Sequence, residues 1–151
     1  MKLSKIMFGF VILIVGCSQV KSVYNLPNEE RDKIISRTYK NNLQKVFNTY
    51  LKYLQSKGWT INVADRETGI ITTGFKSGEG LANAMSNVNR KLTVSITSLG
   101  ENLAKASITV IQEEGSGANR HRVIMFPVYV KPVLNDIFND VKGSLNQIES
   151  Y

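Results

Sequence analysis

Apolar residues after position 38 recur at spacings of three and four, which places them on one face of a helix. The members of this stripe are Tyr39, Leu43, Val46, Phe47, Tyr50 and Leu54. Gly58 follows where a helix commonly ends, because glycine readily adopts the left-handed conformation of a C′ residue. The pattern therefore predicts an amphipathic helix that begins at Tyr39 and ends at Gly58.

Two β-hairpins are predicted after this helix, because apolar and polar residues alternate in four successive stretches. The first hairpin joins 59–63 to 70–75 through a turn at 65–69, and the second joins 92–96 to 104–110 through a turn at 100–102. In the second hairpin the polar positions are Thr93, Ser95 and Thr97. They predict a sheet with one solvated face, as is common for antiparallel sheets.

A second helical stripe lies near the C-terminus, with Asp136 and Asp140 on the opposite side of the helix. Its members are Leu134, Ile137, Phe138, Val141, Leu145 and Ile148. Pro132 suits the start of this helix, and residues 123–126 are a candidate fifth strand that Pro127 would confine to an edge. The predicted fold is α+β, an antiparallel sheet of four or five strands packed by an N-terminal and a C-terminal helix.

The N-terminal segment has the layout of an export signal, with Lys2 and Lys5 before an apolar block and small residues at its end. The block 6–16 is about 11 residues long, whereas a helix needs ~20 residues to cross a bilayer. The residues Ile14-Val15-Gly16-Cys17 resemble a bacterial lipobox. A plain signal peptide with an incidental cysteine, or an apolar N-terminal strand, remains an alternative.

The lipobox resemblance implies cleavage before Cys17 and covalent attachment of diacylglycerol and an N-acyl chain to that residue. Cys17 is the single cysteine of the chain, so the mature protein would have no free thiol. Ser18 follows, and the resemblance to enterobacterial lipoproteins implies the outer membrane, with the domain on the periplasmic side. The predicted organisation is a signal peptide at 1–16, a lipidated N-terminus and tether at 17–36, and a single α+β domain at 37–151.

Charge and residue types favour binding over catalysis. The formal net charge is +7, which can attract phosphate head groups, lipopolysaccharide or an acidic partner, while export argues against nucleic acid. His121 is the single histidine, so a metal centre built on His and Cys is excluded, and no cofactor is expected. Glu113 and Glu114 are adjacent and would point to opposite faces of a strand. We therefore expect no enzymatic activity.

Two regions are candidate partner-binding sites. The long connection 74–90 contains Leu81 and Met85 on a short amphipathic stretch, and connections of this length are often functional; a locally packed loop is the alternative. The basic residues Arg90, Lys91, Arg120 and Arg122 stand at the starts of predicted strands. They would form a cationic patch if those strand ends are neighbours, or else be ordinary solvated charges.

The chain resembles the helix-grip domains of small outer-membrane lipoproteins such as the BamC-type accessory lipoproteins of the β-barrel assembly machinery. The lipobox carries the resemblance, together with "LKYLQSKGWTINVADRETGIITTGF" and "VYVKPVLNDIFNDV". It implies a lipid-anchored accessory subunit of an outer-membrane assembly or secretion complex with an envelope protein as partner. The alternative is a periplasmic module that binds a small ligand, lipid or cell wall in the groove between the sheet and the C-terminal helix.

Overall fold

The computed structural model describes residues 21–77, 88–115, 117–123, 125, 127–145 and 147–148. Within these residues an antiparallel sheet packs with three α-helices, so the predicted α+β class is confirmed. The helices are α1 (Asn28–Ile35), α2 (Leu43–Ser56) and α3 (Pro127–Lys142), and short 3-10 turns occupy Val23–Asn25 and Gly117–Asn119. In this part of the chain no helix is long and apolar enough to span a membrane.

Eight strands form one sheet, more than the four or five predicted. They are β1 (Ser36–Tyr39), β2 (Ile61–Asp65), β3 (Ile70–Thr73), β4 (Lys76–Ser77), β5 (Asn89–Gly100), β6 (Leu103–Glu114), β7 (His121–Arg122) and β8 (Gln147–Ile148). The order is β2-β3-β5-β6-β1-β8, with β4 added to β5 and β7 to β6. The unpredicted strands have only two to four residues, too few for alternation to be recognised.

Both predicted hairpins are present, and the β5–β6 hairpin is the longest element of the sheet. Buried residues alternate with partly or fully exposed ones from Leu92 to Ile96 on β5 and from Leu103 to Gln112 on β6, which gives the sheet two distinct faces. Buried apolar residues of these two strands are Leu92, Val94, Ile96, Ala104, Ala106, Ile108 and Val110. The opposite face carries hydroxyl side chains that pair across the strands, as Thr93 does with Thr109 and Ser95 with Ser107.

The helices cover the apolar face and complete a single core. Helix α2 contacts β5 and β6, and α3 contacts α1 and α2. The buried stripe of α2 is Val46, Phe47, Tyr50 and Leu54, and that of α3 is Val130, Leu134, Ile137, Phe138 and Val141. Four predicted core positions of each helix are thus buried, which confirms the two helical stripes.

The chain before α2 differs from the sequence-based expectation. The segment 17–36 is predicted to be a tether, yet its part from Val23 onward folds onto the domain, and Val23, Ile34 and Ile35 are buried in the core. Helix α1 was missed because its residues, NEERDKII, are mostly polar and its buried positions fall only at its end. The α+β domain therefore begins near residue 23 rather than residue 37.

The first residue of each long helix also differs. Tyr39 is in β1, and α2 begins at Leu43, where the side-chain oxygen of Asn42 accepts a hydrogen bond from the backbone N–H of Lys45. This is the usual N-cap interaction. Helix α3 begins at Pro127 rather than at Pro132, which lies inside it. The preference of proline for the first position of a helix therefore holds at Pro127 and not at Pro132.

The candidate fifth strand is displaced by two residues. Strand β7 consists of His121–Arg122 and pairs with Glu113 and Glu114 of β6. Val123 continues this edge, since its backbone N–H donates to the carbonyl oxygen of Gln112 at 3.0 Å. The predicted strand 123–126 also includes residues 124 and 126, which lie outside the described residues.

Candidate functional site

An open cleft of about 640 Å³ lies between the end of α2, the start of β5 and the outer side of α3. It is lined by Tyr53, Lys57, Trp59, Lys76, Ser77, Arg90, Val133, Asp136, Ile137, Asn139 and Asp140. We call it the α2–α3 cleft. Its lining combines two aromatic rings, three cationic side chains and two carboxylates.

The end of α2 builds one wall of the cleft. Gly58 has a φ of +72°, a conformation that side chains disfavour, and it reverses the chain after the helix. The backbone N–H of Trp59 then donates to the carbonyl oxygen of Leu54 at 3.0 Å. This turn holds the indole of Trp59 at the rim of the cleft, where it is only partly buried.

Lys76 of β4 joins the sheet to the end of the helix. Its Nζ donates to the carbonyl oxygen of Lys57 at 2.6 Å and lies 5.7 Å from the centroid of the Trp59 ring. A cation at a helix C-terminus interacts favourably with the helix dipole, and a cation above an indole face is attracted by its π electrons. The two contacts place a positive charge beside the indole.

Asp140 of α3 closes the opposite side. Its Oδ2 lies 3.0 Å from Nζ of Lys57, an ion pair whose side chains are about half exposed. Desolvation, followed by the negative charge and hydrogen bond of Asp140, raises the pKa of Tyr53 to about 12. Tyr53 is therefore a neutral hydrogen-bonding group at physiological pH, and Asp140 forms an ion pair with Lys57.

Arg90 lines the cleft and is held in place by two further side chains. Its Nε donates to Oε1 of Gln112 at 2.9 Å, and Nε2 of Gln112 donates to Oε1 of Glu114 at 3.0 Å. Burial lowers the pKa of Arg90, and the charge of Glu114 opposes this shift. Arginine remains protonated across the physiological range, so the cleft contains a fixed, half-buried guanidinium.

These groups are suited to binding. A guanidinium and two ammonium groups favour carboxylate or phosphate, while Trp59 and Tyr53 offer apolar ring surface. Among the described residues there is no group of three or more His, Cys, Asp or Glu side chains that could hold a metal ion. The cleft is therefore suited to a ligand that has an anionic group next to an apolar or ring-shaped group.

The four basic residues predicted to form a patch are divided by the sheet. Arg90 is on the helix-covered face and lines the cleft, whereas Lys91, its neighbour on the same strand, is on the opposite face. Arg122 lies opposite Glu113 in the ladder, and Arg120 is exposed just before β7. The strand ends are neighbours as the prediction requires, but two carboxylates lie among them.

The remaining candidates are less informative. Leu81, Met85 and the lipidation residue Cys17 lie outside the described residues. His121 is exposed in β7. Glu113 and Glu114 occupy successive positions of β6 and so point to opposite faces. Nothing in these placements brings the two carboxylates together.

Several residues of the cleft were not identified as site residues from the sequence. Trp59 is partly buried against the core and also lines the cleft, whereas Phe75 is 44% exposed. Lys57, Lys76 and Asp140 stand in three separate elements, so no local motif connects them. The one available signal is Asp136 and Asp140 on the polar side of the predicted C-terminal helix. No protein-family model matches this chain, and neither does any curated protein.

Proposed function

We propose that this chain is a lipid-anchored envelope lipoprotein, held in the outer membrane through Cys17, that serves as a non-enzymatic accessory subunit of an outer-membrane assembly or secretion complex. The observation that carries the binding role is the guanidinium of Arg90, held by Gln112, in the same open cleft as the indole of Trp59. The export-signal pattern and the lipobox pattern support the proposed location in the outer membrane.

The residue types of the cleft favour a protein partner. Trp, Tyr and Arg are the side chains most enriched among residues that dominate protein–protein binding energy, and Trp59, Tyr53 and Arg90 lie together here. The Gln112–Glu114 pair holds Arg90 before a partner arrives, which reduces the entropy lost on binding. An extended or helical segment with an acidic side chain next to an apolar one fits this arrangement.

The resemblance to helix-grip lipoproteins remains part of the proposal. An antiparallel sheet with its C-terminal helix packed against an N-terminal helix supports it, since α3 contacts both α1 and α2. The cleft borders α3, so under this proposal the partner binds where the C-terminal helix meets the sheet.

A second candidate is a periplasmic module for a small ligand, lipid or cell-wall fragment. The size of the cleft favours it, because pockets for small molecules are typically ~300–1,000 Å³. Its lining is half polar in character, with charges of both signs rather than an enclosed apolar wall. A sugar or peptide bearing a carboxylate therefore fits better than an apolar carrier ligand.

Crosslinking in intact cells tests the proposal. The native lipoprotein is captured after crosslinking and its partners are identified by mass spectrometry, beside an unanchored Cys17→Ala form and an Arg90→Ala variant. Arg66→Ala is the matched control, because Arg66 is an exposed arginine in the β2–β3 turn. Thermal unfolding of each variant establishes that the domain is folded.

A stoichiometric envelope-complex subunit that is captured by the native protein and by Arg66→Ala, and lost with Arg90→Ala, is the expected result. Capture of the same subunit at full yield by Arg90→Ala would remove the cleft from the proposal. Capture of no protein above the Cys17→Ala control would reject the accessory-subunit role and direct attention to carboxylated glycans and peptides.

A further inference from the structure

The chain between the lipid anchor and the folded domain is short. Val23 is fully buried, and its backbone N–H donates to the carbonyl oxygen of Met125 at 2.9 Å. About five residues separate Cys17 from Val23, and an extended chain spans at most ~3.6 Å per residue, so the domain begins within ~20 Å of the anchor. A domain of ~100 residues has a radius of gyration of ~13 Å, so its diameter is larger than the ~20 Å that this segment can span. The surface around Val23 and Met125 must therefore lie next to the bilayer.

Two large apolar side chains are exposed beside this point. Val128 and Tyr129 stand in the first turn of α3, three and four residues after Met125, and are 66% and 59% exposed. Tyrosine is enriched at membrane–water interfaces because its ring is apolar and its hydroxyl is polar. Both side chains are thus placed within reach of the head-group region.

Charged side chains of both signs lie in the segments that lead to Val23 and Met125 or follow them. The exposed cationic residues of these segments are Lys21, Arg120, Arg122 and Lys131, and the exposed acidic ones are Glu29 and Glu30 in the first turn of α1. The partly buried Glu114 is engaged by Gln112. Phospholipid head groups present phosphates together with amines, so a mixed surface with a cationic excess complements them.

We propose that the domain docks on the phospholipid bilayer through this surface, with Val128 and Tyr129 inserted among the head groups. The proposal rests on lipidation of Cys17 under the proposed function. It fixes the orientation of the domain as well. The β5–β6 turn is then remote from the membrane, since strands of 12 residues span roughly 35–40 Å. Along α3 the residues that line the α2–α3 cleft run from Val133, ~6 Å from Tyr129, to Asp140, ~17 Å from it. The Asp140 end of the cleft therefore stays open to a partner.

Site-directed spin labelling of the lipidated protein tests the docking. Because the sequence has one cysteine, a lipidated chain offers no other thiol, and a single new cysteine can be labelled. The labels are placed at Val128→Cys, at Tyr129→Cys and, as a control, at Glu101→Cys in the exposed β5–β6 turn. Each protein is reconstituted in vesicles of phosphatidylethanolamine and phosphatidylglycerol, and its accessibility to a water-soluble nickel chelate is measured. The mass of the purified chain reports the modification of Cys17.

We expect chelate accessibility to fall roughly fivefold at positions 128 and 129 relative to position 101, as for side chains buried at the head-group level. Equal accessibility at all three positions, with Cys17 shown to be lipidated, would overturn the docking and leave the anchor intact. An unmodified Cys17 would overturn the anchor of the proposed function and, with it, the distance argument. The mass measurement separates the two failures.

Discussion

The hydroxyl of Tyr24 completes the backbone hydrogen bonding of Val110. It accepts from the N–H of Val110 at 2.8 Å and donates to the carbonyl oxygen of the same residue at 2.9 Å. Val110 lies on β6 between the residues paired with β1 and those paired with β7. One side chain thus takes the place of a neighbouring strand, and this contact attaches the segment before α1 to the sheet.

Replacing Tyr24 with Phe should lower the free energy of unfolding by about 1–3 kcal/mol, because a buried N–H and C=O would lose their partner. Urea denaturation measures the change. Ser56→Ala is the control, since its exposed hydroxyl bonds only a carbonyl of its own helix, and it should stay within ~0.5 kcal/mol of the native protein. Equal effects of the two variants would show that water replaces the Tyr24 hydroxyl.

Gly69 is required for a tight approach between the β2–β3 turn and β5. Its φ is +71°, and a Cβ there would collide with the carbonyl oxygen of Ile96. Its own carbonyl accepts from the N–H of Ile96 at 2.8 Å. Gly69→Ala should therefore lower the free energy of unfolding by about 2–4 kcal/mol, through backbone strain and the clash together.

Gly143 provides the matched control for this substitution. It follows α3, and a Cβ there would meet no atom within 4 Å. Gly143→Ala should leave stability unchanged or raise it by up to about 1 kcal/mol, because alanine restricts the unfolded chain. Thermal unfolding compares the two variants, and similar losses in both would contradict the role assigned to Gly69.

Alkaline pH should destabilise the protein through Tyr39 and Tyr50. Their hydroxyl oxygens lie 2.7 Å apart in the core, and burial is the largest cause that raises the pKa of each. The folded state therefore favours the protonated phenols. Their contribution is complete below the unfolded pKa of ~10 and is lost as pH rises from there towards the higher folded values.

The double variant Tyr39→Phe/Tyr50→Phe should lose less stability than the native protein between about pH 9 and pH 11. Replacing both partners avoids leaving one hydroxyl buried alone. Urea titrations at several pH values, with phenolate absorbance recorded in parallel, measure the slope. Tyr24 and Tyr53, whose pKa values are also raised, should contribute to the slope that remains. An unchanged slope in the double variant would exclude the pair.

Periodicity predicted the elements whose burial repeats over at least four positions. The stripes of α2 and α3 and the alternation of β5 and β6 are of this kind, and the second hairpin followed from them. The first hairpin was predicted from the alternation of residue types and the turn at 65–69, although Val63 of β2 is 47% exposed. It failed for α1, where Ile34 and Ile35 are the only buried residues, and for the two-residue strands. Such elements are fixed by contacts with distant residues, as Tyr24 shows with Val110.

The cleft could not be predicted for a related reason. Lys57, Lys76 and Asp140 come from a helix end, a two-residue strand and a second helix, and only tertiary packing brings them together. Arg90 was chosen from the sequence for its charge, but its orientation follows from the register of β5 with β6, which places it beside Gln112. Alternation along a strand does separate Arg90 from Lys91, yet which face each takes depends on that register.

The contact between Lys76 and Trp59 should contribute to the stability of the domain. Lys76→Met keeps the aliphatic stem and removes the charge, so the carbonyl of Lys57 and the face of Trp59 both lose their cation. The expected loss is about 1 kcal/mol of unfolding free energy. A double-mutant cycle with Trp59→Leu should give a coupling of about 0.5–1 kcal/mol between the two side chains. Lys52→Met, on an exposed face of α2, should show no coupling to Trp59. A cycle that closes without coupling would mean that Lys76 acts on the helix end alone, and that the indole at the cleft rim is held by the Gly58 turn.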